Sequence, residues 1–160
     1  MKSYAYHEAG HTIVAQHLGF PVEYTTIDEE TSPLVATKTV RLRDYFDEDA
    51  MMFGHLKVRG KEKLSREDYK TFYSILLFKL AGYVAVELAD EKMVSDKKHY
   101  DEDRVFAFNI LNHLEKGKAG VRYEKMRRIA ERILRSKWKE VESLAKRLME
   151  EETVYFTSEA

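Results

Sequence analysis

Two histidines four residues apart, His7 and His11, flank Glu8 in the run Ala5-Tyr6-His7-Glu8-Ala9-Gly10-His11. The pattern His-Glu-x-x-His constrains the fold because its chemistry works only on a helix. There, residues four apart lie one turn apart on one face, so both imidazoles can address a single metal ion. Glu8 lies about 100° round from His7, so it can reach a water on that ion without being a ligand. Such a helix points to zinc, with Glu8 as the base that takes the water's proton. The flanking residues fit a helix. Ser3 is a candidate N-cap, and Gly19 and Pro21 end the run after Leu18. Val14 and Leu18 continue the histidine stripe and give it an interior-facing character. Gly10, poor for helix stability, leaves room for close packing or substrate approach. The alternative is a pair of histidines merely packed on an amphipathic helix.

The 160 residues suit one domain, which we divide into 1–64, a zinc helix with a β-hairpin, and 65–160, a helical region carrying the third ligand. The chain has no cysteine, so a transition metal must be held by histidine and carboxylate. Its formal charge of −1 argues against a nucleic-acid binder, although Arg127, Arg128, Arg132, Arg135, Lys137 and Lys139 form a basic stretch. A solvated helix face is the expectation for them. The stretch Ile75 to Leu88 is the most apolar, but Lys79 and Glu87 interrupt it and it reads as too short to span a bilayer. With no apolar leader at Met1, a cytoplasmic location is expected, without membrane insertion.

Along the chain, Val22 to Ile27 and Leu34 to Leu42 read as strands of a hairpin or small sheet. Residues 50–63 are ambiguous, broken by Gly54 and Gly60. Ser65 is expected to cap a long buried helix with Asp68 at the capping-box position. Phe72, Ile75, Leu76, Leu80, Tyr83, Val84 and Leu88 form its apolar face, and Ala81-Gly82 admits a close neighbour. A helix from about Asp101 to Leu114 should turn Val105, Phe108 and Leu111 inward. One last helix, from about Arg122 to Glu150, carries the seam Met126, Ile129, Ile133, Leu134, Val141, Leu144, Ala145 and Leu148. The fold class expected is α+β, predominantly α-helical.

A catalytic zinc takes three protein ligands and keeps one open position. His17 follows His11 by six residues, on another face, and is expected to be exposed. The distant candidates are Asp96, His99, Asp101, Asp103, Glu87 and His113. Asp101 stands out locally, since it opens a helix on the stripe of Val105 and Phe108. Capping that helix would explain Asp101 equally well.

The chain resembles, from end to end, the peptidase domain of the FtsH family of ATP-dependent zinc metallopeptidases. Ala5 to His11 is similar to that family's AYHEAGH, Pro21-Val22 with Thr26-Ile27 to its following strand, and Leu80 to Leu88 to its L-x-G-R-x-A-E-E helix. Tyr100 to Arg104 resembles its N-D-x-x-x-A-T segment, and Ala130 to Thr153 its C-terminal helix with L-x-x-x-E-T-L. The resemblance implies a largely helical zinc endopeptidase with His7, His11 and Asp101 as ligands and Glu8 as catalytic base. Its expected substrate is unfolded or flexible polypeptide, bound extended along an edge strand such as Leu34 to Leu42. An ATPase acting in trans and a homo-oligomer are open partners. The chain departs from the family at Asp28 to Pro33, at Tyr83 in place of Arg and at Val86 in place of an acid, and carries no ATPase motif. A zinc-stabilised adaptor or regulatory protein of weak or no activity is therefore the alternative.

Overall fold

The computed structural model describes residues 2–28, 30–31, 35–37, 65–89, 101–115 and 117–156. The described residues form five helices and a small antiparallel sheet: α1 (Lys2–His17), β1 (Val22–Thr26), β2 (Val35–Thr37), α2 (Arg66–Ala89), α3 (Asp101–Leu114), α4 (Ala119–Ser136), α5 (Trp138–Glu151) and β3 (Thr153–Tyr155). Residues 50–63 and 90–100, and the second strand beyond Thr37, lie outside the described residues.

Helix α1 starts at Lys2, so Ser3 sits inside the first turn and is not its cap. Its end is as expected. Gly19 takes φ +78°, its N–H bonds the Gln16 carbonyl at 3.0 Å, and the Phe20 N–H bonds that of Ala15 at 2.9 Å. This pair of bonds satisfies the last carbonyls and needs a residue comfortable at positive φ.

Helix α2 is the central helix. Phe72, Leu76, Leu80 and Val84 are fully buried, each such side chain contributing about 1.5–3 kcal/mol of burial free energy. Residues Tyr69–Ala89 are long and apolar enough to cross a membrane by length and composition, longer than the 75–88 stretch suggests, and half of that window is buried in this fold. Ser65 stands just before the first turn, its carbonyl accepting the Tyr69 N–H at 3.2 Å; the Asp68 side chain is outside the described residues.

Helices α1 and α2 pack where side chains are absent. A Cβ on Gly10 would lie 2.5 Å from Ala85 Cβ and 2.6 Å from the Ala81 carbonyl oxygen. A Cβ on Gly82 would lie 2.5 Å from both His11 Nε2 and His7 Cε1. The expected close neighbour of Ala81-Gly82 is thus the histidine helix itself.

Two expectations for the C-terminal half are corrected. Val105 and Phe108 are 52% and 43% exposed; Ala107, Ile110 and Leu111 are the buried residues of α3. The inward stripe therefore runs Asp103, Ala107, Ile110 and Leu114, and Val105 and Phe108 are not on it. The single long helix is two, broken at Lys137 (φ −118°, ψ 22°), and it starts at Ala119 rather than Arg122. Ser136 Oγ donates to the Ile133 carbonyl at 2.7 Å, a bond that competes with the helix ladder. After the break Trp138 stacks on Tyr6, ring centroids 5.9 Å apart. The apolar seam is otherwise as expected, with Met126, Leu134, Val141, Leu144, Ala145 and Leu148 buried and Ile129 and Ile133 packed beside them.

The sheet has the order β2-β1-β3, with both pairings antiparallel. The β1–β2 hairpin is as expected; β3 is an addition. It pairs Thr25 with Val154 and Thr26 with Thr153, tying the end of the helical region to the first strand. Thr12 Oγ1 lies 2.6 Å from Thr25 Oγ1, both side chains buried, and fastens the sheet to α1.

Candidate metal centre

His7 and His11 project from one face of α1 beneath Gly82, as the four-residue spacing requires. Their Nε2 atoms approach to 3.0 Å. The third group is Asp103 of α3, whose Oδ2 lies 3.0 Å from His11 Nε2 and 3.5 Å from His7 Nε2. His7 and His11 are 6% and 5% exposed.

The hydrogen bonds fix the chemistry of these atoms. His11 Nδ1–H donates to the Phe78 carbonyl oxygen at 2.7 Å, which orients the ring with Nε2 toward His7 and Asp103. Burial and the neighbouring His11 lower the pKa of His7, favouring its neutral form. Burial alone would raise the pKa of Asp103, but the Lys79 ammonium and the bonds to His11 and His7 override it and hold the carboxyl well below the usual range. Two imidazoles and a carboxylate thus converge on one small space. An ion with tetrahedral bonds of about 2.0–2.1 Å spaces its ligands roughly 3.3 Å apart. The separations of 3.0, 3.0 and 3.5 Å match that spacing, so the group could hold a metal ion.

Glu8 stands beside the group. Its Oε1 is 3.9 Å from His7 Nε2, and it is only 3% exposed. Burial pushes its pKa up to about 7, against the opposing influence of His7. Lys79 Nζ bonds Asp103 Oδ1 at 2.8 Å.

Of the sequence candidates, the structure brings together His7, Glu8, His11 and Asp103. Asp101 is the first residue of α3, and its side chain lies outside the described residues, as does that of His113. Asp96 and His99 also lie outside them. Glu87 belongs elsewhere, accepting from Arg127 at 3.1 Å. His17 is exposed, as expected. Sequence reasoning missed Lys79 and the Phe78 carbonyl as supports. The signal for Lys79 was there, because a lone ammonium within the most apolar stretch of a chain needs a partner. Compared with protein-family models and with characterised proteins, the chain matches none.

Proposed function

We propose that this chain is a zinc-dependent endopeptidase similar to the FtsH-family peptidase domain, acting on unfolded or flexible polypeptide. The observation that carries the reading is the buried Glu8 carboxylate beside the converged His7, His11 and Asp103. Two imidazoles and a carboxylate are a ligand set of hydrolytic zinc sites, which keep a fourth position open. When bound, zinc supplies Lewis acidity toward water and a peptide carbonyl.

The remaining work belongs to the chain. His7 and His11 offer Nε2, and the Phe78 carbonyl fixes the His11 ring. Asp103 offers Oδ2. Glu8, on the next residue round the helix from His7, takes a proton from the attacking water and returns it to the departing nitrogen. An extended substrate finds backbone partners along the outer edge of β2, where no described strand pairs.

The burial of both histidines also suits an adaptor, in which the metal only pins α1 to α3. Glu8→Gln separates the two. In the peptidase it keeps the metal and lowers casein cleavage by about 10²–10⁴-fold. Equal cleavage by both proteins, or none by metal-loaded wild type on any unfolded substrate, would put the adaptor ahead.

A further inference from the structure

Asp103 has two oxygens, and the structure gives them different tasks. Oδ2 faces the histidines, 3.0 Å from His11 Nε2, while Oδ1 is bonded to Lys79 Nζ at 2.8 Å. Lys79 is itself held in place. Its ammonium lies 5.4 Å from the centre of the Phe106 ring and 6.0 Å from that of Phe78, within or at the limit of cation–π attraction. Phe106 belongs to α3 and Phe78 to α2, so the ammonium is gripped from both helices it joins. The neighbouring residue of α2, Phe78, turns its carbonyl to His11. Two successive residues of α2 thus orient two of the three donor groups, and Gly82, one turn on, makes room for the rings.

We propose that Lys79 is a positioning residue that restricts Asp103 to a single-oxygen donor. A carboxylate with both oxygens free can bind an ion through one or both, and binding through both raises the coordination number. An ammonium on Oδ1 engages that oxygen and holds its charge density, so that Oδ2 becomes the favoured donor to the ion. The coordination position so preserved is the one a hydrolytic site needs for water or substrate. The geometry also makes the fold responsible for ligand denticity, since Lys79 and Asp103 come from different helices and meet only when α2 and α3 pack.

This inference rests on the metal-site reading, and one titration tests both separately. Cobalt(II) replaces zinc and reports its coordination number through its visible absorption, intense for four ligands and weak for five or six. Wild type should bind cobalt with the intense bands, and Asp103→Asn should lose them. If wild type binds no cobalt, or if Asp103→Asn binds it unchanged, the metal-site reading fails. Lys79→Met keeps the length and the contact with Phe78 and Phe106 but removes the ammonium. It should show a several-fold drop in band intensity as Oδ1 joins the ion, or loss of cobalt as the carboxylate swings away, with helical circular dichroism retained. Lys79→Arg, which keeps charge and donor, should restore the wild-type spectrum. Should Lys79→Met bind cobalt with wild-type affinity and spectrum, the lysine is only packing and the proposal is overturned. A spectrum equally altered in Lys79→Arg and Lys79→Met overturns it too.

Discussion

Asp103 and Arg127 are each surrounded by opposite or complementary groups, in different settings. Asp103 meets Lys79, His7 and His11 with its side chain 16% exposed, and every partner comes from a different turn or helix. Arg127 meets Glu87 across helices at 3.1 Å, and Glu124 and Glu131 along its own helix, with its side chain 29% exposed and two of the three contacts at 3.4 and 4.0 Å. At Asp103 each oxygen has a set partner, and removing the charge leaves groups that water cannot readily serve. At Arg127 the acids are interchangeable, and solvent replaces whatever is removed. Charges of similar number thus build a site in one place and a solvated face in the other.

The comparison breaks most visibly at Asp103. Asp103→Asn should reduce metal affinity by more than the roughly 10–100-fold lost with a mere supporting partner, as read by equilibrium dialysis. Asp101→Asn should leave it unchanged. The opposite result would return the third ligand to Asp101, as the family resemblance implies.

A smaller effect is expected at Gly82, which sharpens how tightly the buried side is built. In Gly82→Ala the new Cβ must displace imidazoles that would lie 2.5 Å away. Overpacking of this kind costs about 1–3 kcal/mol, visible in urea unfolding, and metal capacity should fall with it. A variant as stable as wild type with full metal capacity would show that the helices are not locked against each other here.

The smallest effect belongs to the surface network. Arg127→Ala should change stability by about 0–1 kcal/mol and leave metal binding untouched. A loss above 2 kcal/mol in the same unfolding experiment would mean the two regions do not differ as described.

What could be read beforehand follows from how local the information is. The His-Glu-x-x-His helix, its glycine stop and the small residues of α2 carry their meaning within a few positions, and the structure agrees with them. Which face of α3 turns inward is decided by distant groups, namely the histidines and Lys79. Ala107 and Asp103 look less apolar than Val105 and Phe108, so periodicity favours the wrong stripe. Phe108 instead packs at the periphery against Tyr123, ring centroids 6.3 Å apart. The α4–α5 break lacks glycine or proline, its only local mark being Ser136. β3 spans three residues after Glu152, which takes φ 62° without being glycine, and nothing short-range announces a strand there.

The carbonyl that orients His11 comes from a residue 67 positions later in the chain. During synthesis at about 5–20 residues per second, His11 waits roughly 3–13 s for Phe78, and longer for Asp103. Throughout that interval the nascent chain offers two imidazoles without the geometry that distinguishes one ion from another. Any choice between metals would therefore be made by the completed fold, once Phe78 and Asp103 have joined the two histidines.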